Sequence, residues 1–142
     1  MPVNRKRVRL LVAALRSGLY EKTKGRLHRT EPSSHWGGHP EGWCCLGVAA
    51  DVMDKFGPGL TRAVSESGTC ETFDGAVDYM PASVQAWYGF DSQDPLLRVD
   101  GRMIPASTLN DSGYIKEDGE HVELSLDDIG RLFRDTYLRK QK

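Results

Sequence analysis

Two adjacent cysteines and a group of histidines are the residues of this chain best suited to covalent chemistry. Cys44 stands at the start of a predicted helix, directly after a loop that carries His35 and His39. A thiol in the first turn of a helix lies near unpaired backbone amides, whose partial positive charge lowers its pKa and favours the nucleophilic thiolate. With His35, His39 or the distant His121 as the base, the pattern predicts a cysteine-dependent hydrolase or transferase that uses Cys44.

Burial and metal binding are the alternative roles for these thiols. Cys45 lies on the apolar stripe of its helix, and cysteine is among the residue types most often buried. His35, His39, Cys70 and one of the paired cysteines could fill a tetrahedral zinc shell. Their spacing matches no familiar zinc module and includes no C-x-x-C pair, so we expect neither a bound metal nor a cofactor.

The loop over residues 31–43 is the most unusual segment of the sequence. It is rich in Gly, Pro, Ser and His, which resist regular structure, so we expect an irregular and accessible surface loop. Trp36 and Trp43 lie within it, and large aromatic side chains on loops are common anchors of recognition. The segment therefore predicts a binding surface, although both tryptophans could instead cover the core.

A further polar cluster occupies residues 108–113. Asn110 and Asp111 could contact a ligand, or their side chains could bond local backbone groups in a turn. The sequence has no Gly-rich phosphate loop with its Lys and Ser/Thr, and no dinucleotide-binding fingerprint, which argues against nucleotide hydrolysis.

The charges of the chain are segregated. Of 19 Lys and Arg and 20 Asp and Glu in total, residues 1–29 hold nine basic residues and one acidic residue, so this segment carries +8 and the rest −9. A basic segment of this kind could bind nucleic acid or another acidic partner. The alternative is that Arg5, Lys6, Arg9 and Arg16 form the solvated face of a helix, since no aromatic residues are interleaved with them for base stacking.

The elements that must position these residues follow from periodicity and turn signals. Apolar spacing predicts a basic helix over residues 5–17, a central helix over 44–56 and a last helix over 126–139. Asp100-Gly101 between two apolar runs predicts a hairpin over 96–104, and a second hairpin is expected between residues 60 and 79. These elements predict an α+β fold: a single small domain of 142 residues with three main helices and short antiparallel hairpins.

Three details of packing accompany this prediction. Gly47 in the first turns of the central helix indicates a close approach by another element. Phe56 completes the apolar stripe of that helix, and Trp87, on a brief helix that begins at Pro81, is expected to anchor the core.

Composition limits the class of protein. Apolar residues make up 39% and charged residues 27%, which is typical of globular chains, and no run approaches the length of a membrane-spanning helix. An odd number of cysteines, three, argues against a secreted disulfide framework. We therefore expect a cytoplasmic protein without a membrane partner.

Several short blocks together resemble a group of small uncharacterised bacteriophage proteins, especially of phages that infect actinobacteria. The most recognisable block is Cys44-Cys45-Leu46-Gly47-Val48; the others include Leu15-Arg16-Ser17-Gly18-Leu19-Tyr20, Gly25-Arg26-Leu27, Leu109-Asn110-Asp111 and Leu124-Ser125-Leu126-Asp127-Asp128-Ile129. The resemblance brings no catalytic or binding residues. It implies an accessory role in the cytoplasm of an infected bacterium.

These observations rank three hypotheses for function. The leading one is a non-catalytic phage accessory protein that binds a host protein or a small signalling molecule through residues 31–43. The second is the cysteine-dependent enzyme, and the third is weak nucleic-acid binding through the basic first helix.

Overall fold

Helices packed around short antiparallel strand pairs form the fold, and the computed structural model describes residues 2–32, 38–66 and 68–139. The helices are α1 (Arg5–Leu15), α2 (Cys45–Phe56), α3 (Ala82–Tyr88), α4 (Ala106–Ser112) and α5 (Leu126–Phe133). The strands are β1 (His28–Arg29), β2 (Gly42–Trp43), β3 (Arg62–Val64), β4 (Cys70–Phe73), β5 (Leu96–Val99), β6 (Arg102–Pro105), β7 (Tyr114–Ile115) and β8 (His121–Val122). The predicted α+β class is confirmed.

Helix α1 begins at an asparagine cap and buries the predicted stripe. The Oδ1 atom of Asn4 accepts a hydrogen bond from the backbone N–H of Arg7, which satisfies one of the unpaired amides of the first turn. The buried residues are Val8, Leu11, Val12 and Leu15. The helix ends two residues earlier than the predicted boundary at 17.

Helix α2 forms the centre of the core, as its apolar spacing predicts. Every residue from Cys45 to Met53 is buried. A side chain at Gly47 would collide with the backbone carbonyl of Leu27, so the predicted close approach is confirmed and leads to the segment before β1. The prediction for Phe56 is wrong: its side chain is 64% exposed, because the helix has already left the core when it ends there.

Within the described residues, strand pairing produces three separate sheets. Strands β2, β1, β4 and β3 lie side by side in that order, and all their pairings are antiparallel. The predicted hairpin around Asp100-Gly101 is confirmed as β5 and β6, with both turn residues at positive φ. The short pair β7 and β8 precedes the last helix.

The C-terminal part differs from the single predicted helix over 126–139. Helix α5 begins with a capping box between Ser125 and Asp128 and buries Leu126, Ile129 and Phe133. From Arg134 to Leu138 the backbone continues as a π-helical segment. Both this segment and α5 pack against α1.

Two shorter helices complete the layer around α2. On α3, Trp87 is half-buried, and Tyr88 is the fully buried ring, with its hydroxyl donating to the carbonyl of Ala49 at 2.7 Å. The prediction of Trp87 as the anchor is therefore corrected to Tyr88. Across the described ranges, no helix is long and apolar enough to cross a membrane.

Candidate functional site

The sequence-predicted histidine loop lies only partly within the described residues. His35 and Trp36 fall outside them. Gly38, Pro40 and Glu41 are exposed, as expected for an accessible loop, whereas Gly42 is buried in β2. His39 is half-buried, and no hydrogen bond joins it to Cys44 within residues 38–66.

The Cys44 thiol is a helix cap inside the protein. The residue is 4% exposed, and its Sγ accepts a hydrogen bond from the backbone N–H of Gly47 at 3.4 Å. Burial raises the pKa of the Cys44 thiol to about 12, because desolvation of the thiolate outweighs the stabilising backbone N–H groups. The expected lowering of this pKa is corrected: Cys44 does cap the helix terminus, but its burial disfavours the charged thiolate more than the terminus favours it.

Cys45 and Asn110 form a buried link between α2 and α4. The Oδ1 atom of Asn110 accepts from the Cys45 backbone N–H at 3.1 Å, and its Nδ2 donates to the carbonyl of Thr23 at 2.8 Å and to Asp111 Oδ1 at 2.9 Å. Asn110 is fully buried, and the Cys45 thiol donates to the carbonyl of Ala106. Both side chains are therefore used in holding the fold together.

Asp111, the other candidate of that cluster, lies at the edge of a small polar pocket. Its Oδ1 accepts from the Gly25 backbone N–H at 3.1 Å, and the pocket of about 180 Å³ is also lined by Cys44, Arg26, Tyr79 and Ser107. Most of the polar groups here are already paired with one another, since Arg26 binds Asp78 and Ser107 binds Asp94. This arrangement favours the structural interpretation of Asp111.

The remaining candidates do not assemble into one site. His121 lies on β8, where its Nε2 contacts the carbonyl of Ser112. Cys70 is buried on β4. Among the residues that the structure describes, no group of three or more His, Cys, Asp or Glu side chains is placed to hold a metal ion.

The sheet instead aligns three side chains in one row. His28 is the register partner of Trp43 on one side and of Glu71 on the other. Cross-strand partners place their side chains on the same face of a sheet, about 5 Å apart. The imidazole of His28 is stacked on the indole of Trp43, with centroids 3.7 Å apart, and its Nδ1 lies 2.7 Å from Glu71 Oε1.

Arg62 of β3 extends this row into an ionic network. Its Nε and Nη2 donate to the two carboxylate oxygens of Glu71 at 2.8 and 2.7 Å, and its Nη1 donates to Asp51 and Asp54 of α2 at 2.9 and 3.0 Å. The guanidinium also lies over the ring of Phe73, 4.7 Å from its centroid. The forked geometry of arginine makes all these contacts possible at once.

The network ends at Asp51, which is 3% exposed. It accepts hydrogen bonds from the hydroxyl of Tyr20 and from Arg62, and forms an ion pair with Lys55 at 2.9 Å. Burial alone would raise the pKa of Asp51, but these hydrogen bonds outweigh it and lower the pKa. Tyr20 in turn lies edge-on to Trp43, with centroids 5.3 Å apart, so the network closes around the indole.

One part of Trp43 remains accessible and lines an open pocket. The pocket has a volume of about 320 Å³ and is lined by Leu19, Glu21, His28, Arg29, Thr30, Glu41, Gly42 and Trp43. Backbone hydrogen bonds fix Trp43 on both sides, from its N–H to the carbonyl of Glu21 and from the N–H of Thr23 to its own carbonyl. The prediction that Trp43 lies in an irregular loop is corrected: it is the last residue of a strand.

We name this region the Trp43 surface and define it by Leu19, Glu21, His28, Arg29, Glu41 and Trp43. Of these residues, the sequence prediction included only Trp43 and the loop around Glu41. Leu19 and Glu21 come from the segment after α1, and His28 and Arg29 form β1; neither stretch carries a catalytic or binding motif. The signal available was the isolated Leu19 immediately after a Ser-Gly helix end.

The comparisons with known proteins define the family of the chain without assigning an activity. No curated protein and no solved structure matches it. The model of a family described as a domain of unknown function, DUF8296, matches residues 4–136. This range includes α1, the Trp43 surface and α5, so the chain belongs to the DUF8296 family.

Proposed function

We propose that this chain is a non-catalytic binding protein, and that it binds a host protein through the Trp43 surface. The observation that carries the proposal is the exposure of Leu19, which is 85%, beside the accessible part of Trp43. Tryptophan is enriched in interaction hot spots, and interfaces commonly place apolar groups at the centre and charged residues at the rim.

The exposure of Leu19 also favours a protein partner over a small signalling molecule. A pocket of about 320 Å³ is at the lower end of the range for ligand pockets, and it leaves most of the Leu19 side chain in solvent. A partner broader than the pocket would cover the exposed part of Leu19 as well as Trp43.

Charges around the pocket would orient such a partner. Glu21 and Glu41 supply two carboxylates, and Arg29 supplies a guanidinium that donates to the carbonyl of Lys24 at 3.0 Å. Mixed charges at the rim of an interface contribute more to specificity and to the association rate than to affinity. The partner therefore carries a basic group opposite Glu41 and an apolar group opposite Leu19.

The rigidity of Trp43 supports a role in recognition. Stacking on His28, edge contact with Tyr20 and two backbone hydrogen bonds hold the indole in place before any partner arrives. A preorganised aromatic anchor loses little conformational entropy on binding, which increases affinity.

The alternatives have weaker support. The cysteine-dependent enzyme requires an accessible thiolate, whereas Cys44 is buried with a raised pKa. We also propose that the protein comes from a bacteriophage and acts in the cytoplasm of the infected host. Both parts rest on the sequence blocks around Leu15–Tyr20 and Cys44–Val48.

Affinity capture from an actinobacterial lysate tests the proposal. Leu19→Ser and Glu41→Lys change exposed side chains of the Trp43 surface, and Ile115→Ser is the matched control because Ile115 is also an exposed apolar residue, at 57%. We expect one host protein to be retained by the wild type and by Ile115→Ser and lost with both surface variants.

Two outcomes would contradict the proposal. One is capture that does not differ between the wild type and Leu19→Ser. The other is a small molecule from a metabolite extract that raises the Tm of the wild type and of Leu19→Ser equally, because this result would make the pocket itself the binding site.

A further inference from the structure

A second concave surface lies between α1 and the C-terminal segment. It has a volume of about 560 Å³ and is lined by Arg5, Arg9, Val12, Ala13, Arg16, Arg134 and Leu138. We call it the arginine groove. None of these residues belongs to the Trp43 surface, so the groove is a separate surface that the proposed function does not use.

Three of the arginines follow one side of α1. At 100° per residue, the spacings from Arg5 to Arg9 and from Arg5 to Arg16 bring these side chains to within about 40° of each other around the helix. With a rise of about 1.5 Å per residue, their positions span about 16 Å along the axis. Arg134 provides a guanidinium from the opposite wall.

Positive charge in the groove exceeds the acidic charge that neutralises it. Arg16 shares Asp127 with Arg131, and Arg134 shares Asp135 with Arg139. Arg5 donates to the backbone carbonyls of Tyr137 and Leu138. Because these acceptors are neutral, they do not compensate the positive charge of Arg5. Arg9 is exposed and has no hydrogen bond or ion pair within the described part of the chain. Of the four arginines that line the groove, Arg16 and Arg134 have a carboxylate partner, so two positive charges remain without one among the described residues.

The floor between the arginines is apolar. Val12, Ala13 and Leu138 form it, and Ala13 is exposed on the surface of α1. A phosphodiester backbone would use the arginines but leave this floor uncovered, and none of the described residues that line the groove supplies an aromatic ring for a base to stack on. A peptide helix with apolar residues on one side and carboxylates beside them matches both the floor and the rim.

We propose that the arginine groove binds an acidic amphipathic segment of a partner protein. Apolar side chains of the segment, spaced three or four residues apart, contact Ala13 and Leu138. Its carboxylates accept charge-assisted hydrogen bonds from Arg9 and Arg134. The groove is thus a docking site for acidic protein segments and not for nucleic acid.

Selection from a displayed library of random 12-residue peptides tests this inference with the full chain. We expect the enriched peptides to combine Asp or Glu with Leu, Ile or Phe at helical spacing. In fluorescence anisotropy with the best labelled peptide, Arg9→Ala and Arg134→Ala should each weaken binding about fivefold, which corresponds to the loss of one exposed ion pair. Ala13→Glu should abolish binding, since it places a carboxylate on the apolar floor.

Arg98→Ala is the matched control, because Arg98 is exposed on β5 and does not line the groove. Its affinity for the peptide should equal that of the wild type.

The inference is overturned if no acidic peptide is enriched, or if the enriched peptides bind Arg9→Ala and Ala13→Glu normally. It is also overturned if a 20-nucleotide DNA or RNA displaces the peptide, binds the wild type more tightly than the peptide does, and loses affinity in Arg9→Ala. The Leu19→Ser variant should bind the peptide normally, which separates this result from the test of the Trp43 surface.

Discussion

The imidazole of His28 lies flat against the indole of Trp43, with ring centroids 3.7 Å apart and ring planes 8° from parallel. The antiparallel register of β1 and β2 produces this stack, because it makes the two residues direct cross-strand partners. The pairing connects the accessible aromatic side chain to the ionic network behind it. Substitutions of Trp43 measure how much this stack contributes to the free energy of unfolding.

Trp43→Ala should lower the free energy of unfolding by about 3 kcal/mol, the lower part of the range for loss of a large aromatic side chain, since Trp43 is half-buried. Trp43→Phe keeps a ring against His28 and should cost about 1 kcal/mol. Urea unfolding at neutral pH gives both values. A loss below 1 kcal/mol for Trp43→Ala would show that the stack contributes little.

Arg62→Ala should lower the free energy of unfolding by about 3 kcal/mol, because it leaves the buried carboxylate of Asp51 with fewer partners. Arg62→Lys should not restore the loss, since an ammonium group cannot reproduce the paired contacts with Glu71 and the contacts with Asp51 and Asp54.

Arg26→Ala is the control for this experiment. Arg26 and Asp78 form an ion pair on the surface, and its removal should cost less than about 1 kcal/mol. An equal decrease in the free energy of unfolding for Arg26→Ala and Arg62→Ala would show that Arg62 contributes no more than a surface ion pair.

The same network predicts sensitivity to acid. The hydrogen bonds from Arg62 lower the pKa of Glu71 below its usual 4.5, and those from Tyr20, Lys55 and Arg62 lower the pKa of Asp51 below 3.8. A carboxyl group with a lower pKa in the folded state contributes stability above its unfolded-state pKa and loses it as the pH falls through the folded-state pKa.

Stability should therefore fall as the pH is lowered below the usual values of 4.5 and 3.8 for these two groups. Glu71→Gln should be less stable than the wild type at pH 7 but should lose less stability on acidification. Urea midpoints measured from pH 7 to about pH 3 test this expectation. Parallel curves for the two proteins would show that Glu71 does not contribute.

The chemistry of Cys44 separates the binding protein from the cysteine enzyme. With 4% exposure and a pKa of about 12, the thiol should react with iodoacetamide only slowly at neutral pH, and it should react readily once urea unfolds the chain. Peptide mass spectrometry distinguishes Cys44 from Cys45 and Cys70. Rapid and selective labelling of Cys44 in the folded protein, abolished by His35→Ala or His39→Ala, would support the enzyme.

The helices and one hairpin follow from local signals in the sequence. Apolar spacing predicts α1, which buries one stripe, and α2, whose residues are all buried from Cys45 to Met53. Asp100-Gly101 predicts its turn, because both residues adopt positive φ. The sequence does not predict helix α4, because its Ser, Thr, Asn and Asp residues favour turns, whereas the burial of Leu109 and the contact of Asn110 with Cys45 depend on the tertiary fold.

The candidate site was predictable only in part for a similar reason. Strands of two residues carry no alternation pattern, so the row of Trp43, His28 and Glu71 could not be inferred from spacing. The sequence correctly predicts Cys44 at a helix terminus. It does not show that Leu27 packs against that terminus, so it does not predict the burial of Cys44.

Amide hydrogen exchange of the chain, alone and with the captured host protein, shows whether the partner covers the Trp43 surface. We expect slower exchange in the complex for the segments that carry Leu19, Glu21, Arg29 and Trp43, and unchanged exchange around Ile115. Unchanged exchange at the Trp43 surface together with protection elsewhere would contradict this expectation.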